Sequence, residues 1–197
     1  LYASYYDGTD CYCYERTKAE PTSLANTMAK FDISSSSSST PVVYPVSGRV
    51  NGHMYVVLAG YKWATENVTA SLSNAAGHDY TYGDYFTQDG SKGSTAKEAA
   101  ESWGGSWTLP SQTQWQKLID NCNWTWKNDY SYDGKTVSGY LVKEAGNSIF
   151  LPAAGWFINN YFGGQGSHGF YWSSDERMHL HFSSGSRYMD DYDRNMG

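Results

Sequence analysis

The stretch covering residues 148–174 constrains the fold of this chain more than any other. It opens with the apolar run 149–151, which Pro152 ends, and this pattern predicts a buried strand followed by a turn. It closes with the aromatic run 170–172, which predicts a second strand facing the first. Between them lies a segment rich in Gly, Asn and aromatic residues that a core does not require. We therefore expect two rigid strands that hold a loop displayed for binding.

The composition favours a binding protein and argues against a nucleic-acid partner. The chain has 197 residues, including 18 Tyr and 8 Trp. Tyr and Trp supply large, rigid contact area, although a loop-rich fold that fills its core with Trp would explain the excess equally well. The net charge is −6 and the pI is near 5.2, whereas phosphate binding needs a basic face. No apolar run reaches the roughly 18 residues of a membrane span, so we expect no transmembrane segment.

The three cysteines do not form a disulfide framework. Cys11 and Cys13 are too close for an easy mutual disulfide, and an odd count leaves one thiol free. No Cys/His set has zinc-finger spacing. Cys122 falls on the apolar side of a predicted helix, so we expect it to be a buried core thiol without a redox role.

We expect an N-terminal extension at residues 1–40 and a ligand-binding domain at residues 41–197. Tyrosines between residues 2 and 14 predict an edge strand, and residues 22–30 predict a short helix after Pro21. The serine tract 34–39 predicts a flexible linker, because six serines bury nothing and cost much to order.

Two helices are predicted from their capping residues. Thr95 followed by Glu98 predicts a capping box for residues 95–102. Ser111 predicts the start of a second helix, directly after Pro110. Its apolar positions at helical spacing are Trp115, Leu118, Ile119 and Cys122.

The remaining predicted elements are strands joined by short turns. Asn51-Gly52 and Asp133-Gly134 predict two-residue hairpin turns. Strands are predicted at residues 42–57 in two segments, then at 124–126, 136–142, 148–151, 170–173 and 178–183. We expect six side chains to be largely buried, namely Trp107, Leu109, Trp115, Leu118, Leu151 and Trp172.

Six motifs of this chain resemble a known family when taken in order. They are KWATEN, YGDYF, GGSWTLPSQTQWQKLIDNCNWTW, SGYLV, NSIFLPAAG and GFYWSS. In this order they resemble bacterial C-type-lectin-fold domains, also called major paralogous domains, over residues 45–197. The resemblance implies an α+β C-type lectin fold, with two helices packed on small antiparallel sheets with long loops. Formylglycine-generating enzymes and the variable proteins of diversity-generating retroelements share this fold.

The tail LHFSSGSRYMDDYDRN resembles a diversified segment of such a variable protein. There a reverse transcriptase randomises adenines, and an Asn codon can then give Asp, Tyr, His, Ser, Phe, Gly or Arg but not Lys, Glu, Gln, Met or Trp. After Glu144 the chain has no Lys and one Glu, which fits. Met178, Met189 and Met196 do not fit, so we interpret them as constant positions. The ligand-binding residues implied are Phe157, Asn159, Asn160, Tyr161, His168, Phe170, His179, His181, Ser183, Ser186, Tyr188, Asp190, Asp191, Tyr192 and Asp193.

The implied function is non-enzymatic ligand binding by a receptor- or adhesin-like protein with a hypervariable region. A fixed carbohydrate-binding or adhesin paralogue without diversification is the alternative. Enzymes of the formylglycine-generating type need a cysteine pair near the C-terminal part of the fold, and no cysteine follows Cys122. We therefore expect no catalytic residue.

No cofactor or metal is expected. His179 and His181 with Asp190 could hold a metal ion, but surface histidines in a display strand explain these residues better. A calcium-dependent lectin would carry a Glu-Pro-Asn or Gln-Pro-Asp turn, and neither occurs. The partner implied is a protein or glycan on another cell or virus surface. The implied localisation is the cell surface or the extracellular space, where the protein would be attached through a lipid anchor or carried by a phage.

Overall fold

The computed structural model describes residues 2–6, 11–15, 29–30, 47–68, 75–91 and 93–191. The chain divides into two compact units, residues 1–42 and residues 43–197. In the first unit the backbone forms a three-stranded antiparallel sheet of β1 (Tyr2–Tyr6), β2 (Cys11–Glu15) and β3 (Ala29–Lys30). Ala29 and Lys30 are thus in a strand, where a helix was predicted. The rest of that predicted helix and the serine tract lie outside the described residues.

The described part of the second unit is α+β and consists mostly of strands. Its helices are α1 (Ala96–Glu101) and α2 (Gln112–Asn121). Its strands form small antiparallel sheets: β4 (Ser47–Val50), β5 (His53–Leu58) and β6 (Tyr61–Ala64); β7 (Gly77–Asp79) and β8 (Gly83–Tyr85); β9 (Asn123–Tyr132), β10 (Lys135–Glu144) and β11 (Asn147–Pro152); β12 (Trp156–Ile158) and β13 (Tyr161–Gly163); β14 (His168–Trp172), β15 (Met178–Ser183) and β16 (Ser186–Asp191). Neither described helix is long and apolar enough to cross a membrane.

Both predicted capping boxes are present. The Thr95 side chain accepts a hydrogen bond from the Glu98 N–H, and the Glu98 carboxylate accepts the Thr95 N–H in return. Ser111 and Gln114 form the same reciprocal pair at the start of α2. Each box satisfies backbone donors that the first helical turn leaves without partners. The helix starts are therefore encoded locally.

Both predicted hairpin turns are also confirmed. Asn51 and Gly52 join β4 to β5 with φ of 48° and 91°. Asp133 and Gly134 join β9 to β10 with φ of 50° and 73°. Positive φ at both central residues matches the twist of the flanking strands, and Asn, Asp and Gly tolerate it best.

The core of the second unit lies between α2 and the sheets around β10 and β15. Leu58, Leu118, Val142, Leu180 and Phe182 are fully buried in it. Of the six side chains predicted to be buried, Trp115, Leu118 and Leu151 are buried and Trp107, Leu109 and Trp172 are half-buried. Cys122 is buried, as predicted.

The two strands that open and close the 148–174 stretch belong to different sheets. β11 pairs with β10, and β14 pairs with β15. They nevertheless meet, because the Tyr171 hydroxyl donates a hydrogen bond of 2.8 Å to the Pro152 carbonyl. The segment between them contains the β12–β13 hairpin.

Candidate functional site

The sheet of β14, β15 and β16 has one face on the core and one face turned away from it. Side chains alternate between faces along a strand. In β15, Leu180 and Phe182 are fully buried on the core face, where Tyr171 of β14 stacks on Phe182 at 5.8 Å. The opposite face starts with His179, His181 and Ser183 of the same strand. We call it the outer face.

The strand register arranges the outer face in three rows of three residues. The rows are Trp172–His179–Asp190, Phe170–His181–Tyr188 and His168–Ser183–Ser186. Eight of these nine residues, all except Trp172, belong to the ligand-binding set predicted from the sequence. The antiparallel register therefore brings together residues of three separate strands that belong to the predicted set.

The middle row is a packed cluster of rings. The His181 imidazole stacks on Phe170 with centroids 4.3 Å apart, and His168 stacks beside it at 5.6 Å. The Tyr188 hydroxyl and His181 Nδ1 are 2.9 Å apart and share a hydrogen bond. Tyr188 itself is 44 % exposed. The row thus presents a tyrosine ring to solvent on a rigid support.

Two histidines of the outer face are held in the neutral form at neutral pH. Burial lowers the pKa of His179 to about 4, and the negative charge of Asp190 offsets this only in part. Burial also lowers the pKa of His181, and the neighbouring His168 adds to the effect. Neither imidazole therefore neutralises the Asp190 carboxylate at pH 7.

The β12–β13 hairpin extends the outer face at one side. The Trp156 indole contacts Phe170 edge to face at 5.3 Å and His168 at 6.1 Å. The hairpin turn consists of Asn159 and Asn160, both exposed, with φ of 50° and 62°. Tyr161 follows them and is 70 % exposed. Trp156 was missed from the sequence because a randomised Asn codon cannot give Trp.

Two predicted site residues are buried, where exposure was expected. Phe157 is 6 % exposed because its ring packs against Tyr85 and Phe162 and covers Gly77, which has no side chain to displace it. His179 is 2 % exposed because Trp172 and Phe170 enclose its ring. Both residues can support a surface, but their side chains are not displayed.

Three other predicted site residues lie apart from the outer face or outside the description. Asp191 alternates to the opposite face of β16, where its carboxylate pairs with Arg177 at 3.0 Å. Tyr192 and Asp193 are outside the described residues. The remaining predicted residues are the seven others of the outer face and the hairpin residues Asn159, Asn160 and Tyr161.

A cavity of about 450 Å³ adjoins the outer face. Phe170, Trp172 and His179 of the outer face and Trp156 of the hairpin are among the residues that line it. Most of the other described lining residues are apolar or aromatic, and they include Trp103 and Trp107. This cavity was not predicted from the sequence.

The described residues include no group of three or more His, Cys, Asp and Glu side chains arranged to hold a metal ion. His179, His181 and Asp190 share the outer face, but the Nδ1 atom of His181 is already engaged by Tyr188. The arrangement can offer aromatic stacking, hydrogen bonds and one carboxylate to a ligand. Comparison with known proteins adds nothing to this picture: no protein-family model, no curated protein and no solved structure matches the chain.

Proposed function

We propose that this chain is a non-enzymatic, receptor- or adhesin-like protein whose second unit has a C-type lectin fold and binds its ligand at the outer face. The observation that carries the proposal is the convergence on that face. Eight residues selected by what a randomised Asn codon can encode share one side of one sheet. Met189, which such a codon cannot encode, belongs to the core side, and Asp191 is the selected residue of β16 that lies on the opposite face.

The physical properties of the face suit binding. Tyr188 and Tyr161 are exposed, and each offers a large ring with few rotatable bonds. The strand backbones are already ordered by their ladders, so binding costs little additional backbone entropy. Ser183, Ser186 and Asp190 supply hydrogen-bonding groups around the rings. This is the chemistry of an antibody paratope on a sheet scaffold.

Two features support the C-type lectin assignment. The described part of the second unit has two helices beside small antiparallel sheets, as the resemblance implies. The six sequence motifs that resemble the family fall on the elements of this unit, including α2, β11 and β14. We further propose diversification by a retroelement, a protein or glycan ligand on another cell or virus surface, and an extracellular or cell-surface location.

The binding proposal is tested by removing exposed anchors. Tyr188→Ala and Tyr161→Ala should keep the melting temperature within about 2 °C, because neither side chain is in the core. Each should weaken capture of a ligand by roughly tenfold or more, since truncating such an anchor typically costs about 2 kcal/mol. The measurement is binding to arrays of purified surface proteins and glycans. Tyr80→Ala is the matched control, because Tyr80 is 86 % exposed but lies in the β7–β8 turn.

Equal binding by the wild type and both variants would refute the proposed site. Unfolding of either variant would show that its tyrosine is a packing residue instead.

Diversification has a separate genetic test. The DNA coding for residues 157–197 should have a near-copy beside a reverse-transcriptase gene, and the two copies should differ at adenine positions of the copy. A copy that differs at other bases, or the absence of any copy, would favour the fixed adhesin paralogue.

A further inference from the structure

The outer face carries one negative charge and no lysine or arginine beside it. Among its nine residues Asp190 is the one carboxylate, and none is Lys or Arg. Two described arginines near this sheet are directed elsewhere. Arg187 lies over the Trp124 ring at 5.4 Å on the core side, and Arg177 pairs with Asp191. Neither of these arginines therefore neutralises the negative charge on the face.

One oxygen of Asp190 is available to a ligand. Oδ1 accepts the Asp191 N–H at 3.0 Å, which fixes the orientation of the carboxylate. Oδ2 is 3.9 Å from Nδ1 of His181, which is too far for a hydrogen bond. The side chain is 41 % exposed. A partially solvated carboxylate held in one orientation is a ready acceptor for a charged donor.

An aromatic ring lies beside this carboxylate. Tyr188 and Asp190 are two positions apart on one strand, so their side chains emerge on the same face about 7 Å apart. The hydrogen bond between the Tyr188 hydroxyl and His181 Nδ1 restrains the ring. A planar cation can contact a ring face and a carboxylate at this spacing, and guanidinium groups do so more often than ammonium groups.

We propose that the ligand of the outer face is a protein that presents an arginine or lysine side chain, which pairs with Asp190 and lies against Tyr188. The inference rests on the proposed function and specifies its partner. An acidic epitope would meet a like charge and find no cation on the face. The net charge of −6 on the whole chain also favours a basic partner through long-range attraction.

This arrangement makes binding of a cation sensitive to acid. The titratable groups that face His181 are His168 of β14, His179 of β15, and Tyr188 and Asp190 of β16. Protonating His181, whose Nδ1 lies 3.9 Å from Asp190, places positive charge where the partner's cation would lie. Because burial lowers the pKa of His181 below its ordinary value near 6.5, affinity for a basic partner should hold from pH 7.5 to pH 6.5 and fall only below it.

The experiment is a titration of the full chain with three defined probes, followed by NMR of the β15 and β16 amides. The probes are the capped tripeptides glycine–arginine–glycine and glycine–glutamate–glycine, and the trisaccharide of N-acetylglucosamine. Only the arginine probe should shift these amides, and the shift should weaken at high salt and at pH 5.5.

The test variant is Asp190→Asn, and Asp191→Asn is its matched control. Both remove one negative charge at neighbouring positions, but only Asp190 is on the outer face. Asp190→Asn should weaken the arginine probe about fivefold, and Asp191→Asn by less than about twofold. Melting curves of both variants check that the fold is retained.

The outcomes separate this inference from the proposed function. Preferential binding of the glutamate probe or the trisaccharide at the face would overturn the cationic partner while supporting a binding face. An equal loss of affinity for the arginine probe in Asp190→Asn and Asp191→Asn would also overturn the proposed cationic partner. The loss would then come from the change in net charge. If Tyr188→Ala abolishes ligand capture and Asp190→Asn does not, the proposed function stands and the cationic partner is refuted.

Discussion

The imidazole of His181 lies nearly parallel to the ring of Phe170, with planes inclined by 17° and centroids 4.3 Å apart. The two residues face each other across β14 and β15. Tyr188 holds the other side of the imidazole through its hydroxyl. His181, which the sequence predicts to be a surface histidine, is thus packed in a layer of aromatic rings with Phe170 and Tyr188.

This layer should make the stability of the protein dependent on pH. In the unfolded chain a histidine titrates near pH 6.5. In the folded chain burial lowers the pKa of His179 to about 4 and also lowers that of His181. Between these values the unfolded state binds more protons, so the free energy of unfolding falls as the pH falls from 6.5 towards 4. For His179 the loss amounts to roughly 3 kcal/mol at full extent.

Urea denaturation from pH 4 to pH 8 measures this dependence. His179→Phe keeps a ring but cannot be protonated, so its stability should fall less steeply than that of the wild type between pH 6.5 and pH 5. Carboxylates contribute equally to both proteins. Identical slopes would show that His179 is not responsible.

Gly169 should not tolerate a side chain. It pairs with Phe182 in the sheet, and a Cβ at Gly169 would meet the Phe182 ring. Gly169→Ala should therefore cost about 1–3 kcal/mol by overpacking. At Gly185 an added Cβ has no neighbour within 4 Å, so Gly185→Ala is the matched control and should change stability by less than about 0.5 kcal/mol. Similar effects of both changes in chemical denaturation would contradict this account.

Trp172 should contribute through both packing and one hydrogen bond. Its ring packs against the cluster of Phe86, Ala96 and Ala99, and its Nε1–H donates to the Phe86 carbonyl at 2.8 Å. Trp172→Ala should cost about 3 kcal/mol. Trp172→Phe restores much of the packing but not the donor, so it should cost less, with about 1 kcal/mol attributable to the lost bond. A Trp172→Ala variant as stable as the wild type would exclude a structural role.

Cys122 should be unreactive in the folded protein. Burial raises the pKa of its thiol to about 11, and the Glu144 carboxylate adds to the shift. At pH 8 the thiolate fraction is then on the order of a hundredfold below that of an exposed cysteine. Alkylation by iodoacetamide, followed by mass spectrometry of the peptide containing Cys122, should be correspondingly slower in the folded chain than in concentrated urea. Equal rates would contradict the burial of the thiol.

Local sequence signals predicted α1, α2 and the two tight turns well, but not β3, where a helix was expected. A capping box involves residues three positions apart, as at Thr95 and Glu98, and a two-residue turn depends on its own φ preferences. Both depend on residues that are close together in the sequence. The strands with apolar runs were also predicted, because an apolar run is itself a local sequence signal.

Features that depend on distant residues were not predictable in the same way. Phe157 is buried because Gly77, far away in the chain, leaves space for its ring. β16 has a polar sequence without a clear period, and it is a strand because it pairs with β15. Trp156 joins the outer face through its contact with Phe170. The codon argument identified eight outer-face residues, but only pairing could show that they are neighbours.

The turn between β12 and β13 limits which residues this surface can accept at its hairpin tip. Asn159 and Asn160 both have left-handed φ values, which Asn, Asp and Gly adopt readily and β-branched residues do not. If the adenines of their codons were randomised, selection for folding would retain only a few of the encoded residues. The eight extended positions of the outer face impose no such backbone requirement. The repertoire of such a family would therefore be broad across the sheet and narrow at the hairpin tip.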